Sequence, residues 1–293
     1  MREERRAQQR RGIPLRAVVP NAVTALALCS GLTGIRFAIA GDWERACFAI
    51  LIAAVLDGMD GRIARSLRAQ TRFGAELDSL SDVIAFGVAP ALILYLWSLQ
   101  APLIAPFGWL IALAYAVCMA LRLARFNARI DAEDQPHKSA GFLTGVPAPA
   151  GAGLMLLPIF LWLASDGRWD WLSDARLTAP WTMLVAFLAI SSVATYSWGS
   201  LRLRRNVRLE AILFLAILGA ALFSAPFGTL SVVAIAYIAL IPLSVLSYSK
   251  VKRQRARAAS PAEPGPALAE PVPALTAERP SGRRRPPPSG TSK

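Results

Sequence analysis

Long apolar runs separated by short polar segments occupy most of the chain, from about residue 21 to residue 248. Most of these runs approach the roughly 20 residues that a helix needs to cross a bilayer. The pattern predicts an all-α, polytopic membrane bundle of about eight transmembrane helices, six forming a core and two following it. The predicted spans are 21–40, 43–65, 74–99, 106–126, 150–164, 181–201, 209–223 and 227–248.

Composition supports a membrane protein, since 55% of the residues are hydrophobic and the mean hydropathy is positive. A soluble domain of this size is rarely so apolar. Four regions are expected: a basic, interfacial segment (1–20), the six-helix core (21–201), two additional helices (202–249) and a disordered, Pro-rich basic tail (250–293). Pro20 and Asn21 are expected to start and cap the first span.

Most of the formal net charge of +13 lies in the two chain ends, and the loops alternate between basic and poor in Lys and Arg. Cytoplasmic loops carry the excess of Lys and Arg, so both termini are predicted to be cytoplasmic, as in a bacterial inner membrane. The basic ends are interpreted as contacts with anionic membrane lipids, and nucleic acid is not expected as a partner.

Four acids stand where the second predicted span ends and the third begins. Asp57 and Asp60 are three residues apart, and Gly74, Asp78 and Asp82 follow at intervals of four, so each set shares one helical face. If the short loop between the spans reverses the chain, the two acidic faces oppose each other. Acids beside hydrocarbon are costly and point to function. The stretch therefore predicts a site at the cytoplasmic membrane surface.

Converging carboxylates repel one another unless cations or protons compensate their charge. Oxygen ligands without a nearby His or Cys favour Mg²⁺ or Mn²⁺, and two such ions are typical of phosphoryl transfer. Gly61 and Gly74 leave room for a ligand, and Arg65 can bind a phosphate through its forked donors. The alternative is a set of solvated acids paired with neighbouring arginines. These arginines are Arg62, Arg65, Arg68 and Arg72.

The stretch 57–82 reads D-x-x-D-G-x-x-A-R, eight residues, then G-x-x-x-D-x-x-x-D. It resembles, position for position, the signature of the CDP-alcohol phosphatidyltransferase family. The resemblance implies a transferase that displaces CMP from a CDP-linked lipid, and a homodimer. It also implies CDP and phosphate contacts from Asn21, Thr24, Gly61, Ala64, Arg65 and Gly74.

A second pattern bears on the acceptor alcohol. The segments 122–127 and 142–149 are similar to the family's phosphatidylserine synthase branch, which usually has Leu or Met near Val146 and Ser near Ala148. An amino-acid acceptor carries a carboxylate that an arginine fork can hold. The candidates for serine binding are Arg122, Arg125, Asn127 and Thr144. The alternative is that the arginines only mark the end of a span.

Together these features predict transfer of a phosphatidyl group from CDP-diacylglycerol to L-serine, giving phosphatidylserine and CMP. Asp82 is the expected general base. The expected metal ligands are Asp57, Asp60 and Asp78, with Asp82 beside a second ion. Alternatives are another acceptor alcohol, such as glycerol phosphate or inositol phosphate, a membrane cation transporter, or a non-catalytic scaffold. Transporters usually hold ions near the bilayer midplane, whereas these acids lie at span ends.

Overall fold

The computed structural model describes residues 15–130, 142–144, 146–191, 194–196 and 208–241. Within these ranges the chain is almost entirely helical, which confirms the predicted all-α membrane bundle. The helices are α1 (Leu15–Ile39), α2 (Trp43–Ser66), α3 (Arg72–Leu99), α4 (Ala105–Ile130), α5 (Ala148–Met155), α6 (Leu157–Ala164), α7 (Ala175–Ile190), α8 (Arg208–Ser224) and α9 (Pro226–Ile241). The predicted tail lies outside the described residues, as does most of the N-terminal segment.

Three of the described helices are long and apolar enough to cross a membrane by length and composition. They cover Val18–Ile39, Arg72–Leu99 and Pro106–Ala128. Helices α7, α8 and α9 are apolar but shorter, and their apolar stretches are 10 to 17 residues long. A membrane protein is therefore established, while the number of eight spans stays a prediction.

Helix α1 begins earlier than predicted. Asn21 was expected to cap the helix, but α1 starts at Leu15 and Pro20 lies inside it. The apolar residues before Pro20 extend the helix, although proline cannot donate to the carbonyl of Arg16, four residues earlier. The cap interpretation is wrong, and the side chain of Asn21 is available for another role.

The sixth predicted span, 181–201, is also displaced. Helix α7 begins at Ala175, where the side chain of Asp174 accepts a hydrogen bond from the backbone N–H of Arg176 at 2.9 Å. It ends at Ile190 because Ser191 turns to an extended conformation with ψ of 152°. The polar cap, rather than the apolar run, decides where the helix starts, and Pro180 is accommodated near its N-terminus.

Two short strands pair with each other, one after α4 and one after α7. Phe142–Thr144 (β1) pairs antiparallel with Ala194–Tyr196 (β2), and Leu143 lies opposite Thr195. The sequence did not predict this strand pairing. The pairing brings the segment that follows α4 beside the segment that follows α7.

Helix α3 is continuous but contains a widened turn at Val83–Val88. The N–H of Ala89 reaches the carbonyl of Ile84, five residues earlier, instead of the usual four. Pro90 cannot donate to the carbonyl of Phe86. The hydroxyl of Tyr115 on α4 donates to that carbonyl instead, at 3.0 Å. The hydrogen bond from Tyr115 thus replaces the one that Pro90 cannot donate.

Helix α1 packs tightly against α3 through a glycine. A Cβ placed on Gly31 would lie 2.8 Å from the Cα of Ala85, too close for any other residue without movement. Gly34 similarly faces the carbonyl of Ala46 on α2, where a Cβ would lie 3.2 Å from the oxygen. Small residues thus permit the close packing of these helices. They place α1 alongside both helices that carry the acids.

Candidate functional site

The four acids of α2 and α3 lie together at one end of the bundle. One carboxylate oxygen from each of Asp57, Asp60 and Asp78 lies within 4.8 Å of the other two. The carboxyl group of Asp82 forms a hydrogen bond with that of Asp57. The turn between the helices reverses the chain, with Arg68 in the left-handed region at φ of 50°. The opposed acidic faces expected from the spacing are therefore present.

Helix α1 fixes the most buried of these acids. The hydroxyl of Thr24 donates to Oδ2 of Asp60 at 2.7 Å, and Asp60 is only 5% exposed. The hydroxyl of Ser81 on α3 donates to the backbone carbonyl of Thr24 at 3.3 Å. Thr24 is thus connected to both acid-bearing helices. Its hydrogen bond holds the Asp60 carboxylate in one orientation toward the cluster.

The donor set fits a divalent cation. Three carboxylate oxygens from two helices lie close enough to share one ion, and like charges at this separation need a compensating positive charge. The described residues bring no His or Cys to the cluster, and oxygen-only ligands suit hard cations. The cluster can therefore bind a metal ion by charge, geometry and ligand type.

An open cleft of about 310 Å³ lies beside the acids, between α1, α2 and the start of α3. All six residues that the family resemblance implied for CDP and phosphate contacts line it. The cleft is lined by Pro20, Asn21, Thr24, Asp60, Gly61, Ala64, Arg65, Ala69, Gln70, Thr71, Gly74, Ala75 and Asp78. A bulky anionic ligand can enter here with the acids and Arg65 at its side.

Glycine at position 74 matters for the shape of this cleft. A Cβ there would lie 2.8 Å from Oδ1 of Asn21 and 3.2 Å from the hydroxyl oxygen of Thr71. By contrast, a Cβ on Gly58 would meet nothing within 4 Å. Gly74 therefore allows Asn21 to approach the start of α3, whereas Gly58 faces open space.

Sequence reasoning missed several residues of the cleft. Thr71 caps α3 by accepting a hydrogen bond from the N–H of Gly74 at 3.0 Å, and its position three residues before Gly74 was a readable capping signal. Ala69 and Gln70 lie in the turn between α2 and α3 and carried no such signal. Ala75 lies one residue beyond the glycine of the signature.

The four candidates for serine binding are arranged less uniformly than the acids. Arg122 on α4 is half-buried and interacts electrostatically with Asp82. Asn127 donates from Nδ2 to the hydroxyl of Ser79 on α3 at 2.7 Å, one residue beyond Asp78. Both residues therefore lie beside the acid-bearing part of α3.

The other two candidates lie in different surroundings. Arg125 donates from Nη2 to the backbone carbonyl of Ile190 at 2.8 Å, at the last residue of α7. This bond joins α4 to α7 and is a structural contact. Thr144 lies in β1 opposite Ala194 of β2.

Comparison with known proteins identifies the family of the chain. Residues 17–193 match the model of the CDP-alcohol phosphatidyltransferase family. The chain belongs to this family. Residues 206–242 match a further model, described as CDP-alcohol phosphatidyltransferase 2, which covers α8 and α9. The resemblance stated from the signature is therefore confirmed, and the acid cluster lies within the matched stretch.

Several members of the CDP-alcohol phosphatidyltransferase family are similar over most of the chain. A CDP-diacylglycerol–serine O-phosphatidyltransferase of Mycobacterium tuberculosis is 41% identical over 238 residues, 81% of each chain. A protein of the same name from Mycobacterium leprae is 38% identical over 240 residues, 82% of this chain and 78% of its own. One from Helicobacter pylori is 31% identical over 215 residues, 73% of this chain and 84% of its own.

Proposed function

We propose that this protein transfers the phosphatidyl group of CDP-diacylglycerol to the hydroxyl of L-serine, giving phosphatidylserine and CMP. The observation that carries the proposal is the acid cluster, two of whose members, Asp60 and Asp78, also line a cleft suited to a nucleotide. The names of the similar proteins support serine as the acceptor.

The donor half of the site is formed by α1, α2 and the start of α3. Asn21, Gly61, Ala64 and Gly74 line the cleft and would let the cytidine lie against backbone. Arg65, also in the cleft wall, would bind the phosphate groups through charge-assisted hydrogen bonds. Asp60 is oriented by Thr24, so this carboxylate is in place before the donor arrives.

The metal would be Mg²⁺ or Mn²⁺. Asp57, Asp60 and Asp78 would hold one ion, and Asp82 would border a second. Bound ions would neutralise the charge of the pyrophosphate. The chain's own residues bind and orient the two substrates and move the proton, and positioning contributes much of the rate in such transfers.

The acceptor half would be formed by α4 and by α3 beyond Asp78. Arg122 would hold the serine carboxylate by a forked pair of hydrogen bonds, and Asn127 would help to orient the molecule. Arg125 and Thr144 remain candidates for the same task. Asp82 would take the proton from the serine hydroxyl as general base. The serine oxygen then bonds to the phosphorus that bears diacylglycerol. The bond from that phosphorus to the CMP oxygen breaks, and its electron pair leaves with CMP.

We place the site at the cytoplasmic face of a bacterial inner membrane, because the loops on that side are expected to carry the excess of Arg and Lys. CMP is water-soluble and could leave directly into the cytoplasm. Anionic membrane lipids would contact the basic chain ends. A homodimer is the assembly that the family resemblance suggests.

The test is CMP release from CDP-diacylglycerol by detergent-purified protein, with and without serine and with and without a chelator. We expect release to require serine, to stop with the chelator and to return with Mg²⁺ or Mn²⁺. Radiolabelled serine should enter the lipid product. Incorporation of glycerol phosphate or inositol phosphate instead would contradict the proposed acceptor. Metal uptake into vesicles without CMP release would contradict transfer altogether and favour a transporter.

A further inference from the structure

Four arginines lie within eleven residues where α2 turns into α3. Arg65 belongs to the cleft, since its Nη1 lies 3.5 Å from the position that a Cβ on Gly61 would take. The other three, Arg62, Arg68 and Arg72, are exposed and do not line the cleft. They stand at unspecified positions of the signature, and the proposed transfer uses none of them. We refer to these three residues as the arginine rim.

The backbone of the turn separates the rim from the cleft. The N–H of Ala69 donates to the carbonyl of Ala64 at 2.9 Å. Ala69 is buried and lines the cleft, whereas Arg68 just before it is exposed, with φ of 50°. Thr71 also lines the cleft, and Arg72 directly after it is exposed. The turn thus presents small and polar side chains to the cleft and the guanidinium groups to the outside.

The rim has no acidic partner among the described residues. The ion pairs there involve other arginines, Arg45 with Asp42 and Arg168 with Asp166. Glu76, one helical turn after Arg72, is exposed and belongs to neither pair. The described part of the protein therefore leaves the three positive charges of the rim uncompensated.

Exposed apolar side chains of α2 place the rim relative to the bilayer. Ile52, Val55 and Met59 are about half exposed, and their spacing of three and four residues puts them on one face. Arg62 follows three residues after Met59 and continues that face. In a membrane protein such an apolar face contacts acyl chains. Arg62 therefore lies about one helical turn beyond them, where headgroups begin.

The start of α3 shows the same order of side chains. Phe73 is 56% exposed and directly follows Arg72, and Leu80, seven residues later on the same face, is 64% exposed. Aromatic rings are enriched where acyl chains meet headgroups, and long basic side chains extend from there toward the headgroups. Both helices thus end their exposed apolar faces at an arginine of the rim.

We propose that the arginine rim binds the phosphate groups of anionic phospholipids in the surrounding leaflet, beside the mouth of the cleft. A guanidinium offers forked donors that fit two oxygens of a phosphate. The acyl chains of the bound lipid would lie along the exposed apolar face of α2. Charge complementarity and the adjoining apolar face both favour a lipid over a soluble anion.

One consequence rests on the proposed function. CDP-diacylglycerol is itself an anionic lipid, so the rim would raise its concentration next to the cleft. Lipid binding by the rim does not depend on this consequence, and the two are tested separately.

The test of lipid binding uses the full chain in neutral detergent and the triple variant Arg62→Gln/Arg68→Gln/Arg72→Gln. Tm is measured with added phosphatidylglycerol or phosphatidylcholine, because a ligand that binds the folded state raises Tm. We expect phosphatidylglycerol to raise the Tm of the wild type more than phosphatidylcholine does. This difference should fall by half or more in the variant. An equal difference in both proteins would overturn the inference.

The matched control is Arg36→Gln/Arg168→Gln/Arg176→Gln, which removes the same charge. These residues are exposed and lie at the other end of the bundle, near the end of α1 and between α6 and the start of α7. The hydroxyl of Ser98, far along α3 from the acids, donates to the carbonyl of Ser173 in that region at 2.8 Å. The control should respond to phosphatidylglycerol as the wild type does. A loss equal to that of the rim variant would reduce the effect to net charge and overturn the inference.

Two further measurements distinguish other occupants of the rim. Inorganic phosphate should not reproduce the Tm rise, and an equal rise with phosphate would make the rim a site for soluble anions. The molar mass in detergent should be the same for the wild type and the rim variant. A wild-type dimer that becomes a monomer in the variant would make this face an interface between copies. Either result would overturn lipid binding.

The consequence for the donor is tested by kinetics in mixed micelles. In the rim variant we expect the KM for CDP-diacylglycerol to rise roughly threefold at low salt and less at high salt. The KM for serine and kcat should not change. A lost Tm response with an unchanged KM would confirm lipid binding and refute recruitment of the donor. A wild type that releases no CMP would refute the proposed function alone, since the Tm comparison needs no turnover.

Discussion

The proposed donor and acceptor halves of the site are built in different ways. The donor half comes from α1, α2 and the start of α3, which are consecutive in the chain and joined by short turns. The acceptor half would draw on α4 and on α3 beyond Asp78, which are joined by the hydrogen bond from Asn127 to the hydroxyl of Ser79. The first half is thus a local structure that a linear signature can describe. The second depends on how distant helices pack.

This difference has a physical origin. Two helices joined by a tight turn must lie antiparallel, so spacing along the chain fixes which side chains face each other. No such rule places Asn127 of α4 beside Ser79 of α3. Their contact, a hydrogen bond of 2.7 Å between residues 48 positions apart, follows from the packing of α4 against α3. The following variants test the contrast between the two halves.

The largest effect is expected at the acid cluster. Asp78→Asn removes one of three charges that converge within 4.8 Å and weakens cation binding. Loss of several kcal/mol of transition-state stabilisation corresponds to a decrease in kcat/KM on the order of 10³-fold. CMP release from purified protein is the measurement. A residual rate within tenfold of the wild type would remove Asp78 from the metal site.

The control for this charge change is Asp166→Asn. Asp166 is exposed and pairs with Arg168 at 3.4 Å, and exposed pairs contribute little. Its kcat/KM should equal that of the wild type, so a general sensitivity to lost acids would be visible here.

A smaller loss is expected for Asp82→Asn. Removal of a general base lowers the rate by about 10²-fold or more, while nucleotide binding should partly survive because Asp82 does not line the cleft. Turnover and CMP binding are measured on the same preparation. Full activity in the purified variant would show that Asp82 is not the base.

Substitution of a glycine in the cleft tests the donor half without changing the acceptor half. Gly74→Ala places a Cβ 2.8 Å from Oδ1 of Asn21, so Asn21 must move within the cleft. We expect the KM for CDP-diacylglycerol to rise roughly tenfold and the KM for serine to stay the same. Gly58→Ala is the control, since its Cβ meets nothing within 4 Å. It should leave activity unchanged, and an equal effect of both variants would refute the role of Asn21.

The smallest effects distinguish two arginines of α4. Arg122→Lys loses the planar fork and should raise the KM for serine roughly fivefold. Arg125→Lys weakens the bond to the carbonyl of Ile190, so we expect a loss of about 1 kcal/mol in stability and an unchanged KM for serine. Thermal unfolding and serine kinetics are measured on both. The reverse pattern would make Arg125 the carboxylate ligand.

The sequence predicted the fold best where long apolar runs end in clear polar segments. Helices α2 and α4 occupy nearly the predicted ranges, because charged or Pro-containing turns bound them. The predicted starts of α1 and α7 were wrong because each helix begins before a proline and continues through it, Pro20 in α1 and Pro180 in α7. A proline marks a helix start only when the residues before it cannot be helical, and that depends on packing.

The site was predictable to the extent that it is local. The six residues implied for the donor line one cleft, and the acids converge as their spacing requires. The turn residues Ala69 and Gln70 carried no pattern, and the strand pairing of β1 with β2 joins segments about 50 residues apart. Periodicity within one helix carries no information about such contacts.

The widened turn at Val83–Val88 has a consequence for how α3 is used. One additional residue in a helical turn rotates everything beyond it by about 100° around the axis. The acid-bearing start of α3 and the stretch after Pro90 can therefore point in independent directions. One continuous helix thus supplies a charged surface at its beginning and a largely apolar one further along. The hydrogen bond from Tyr115 stabilises the turn between them.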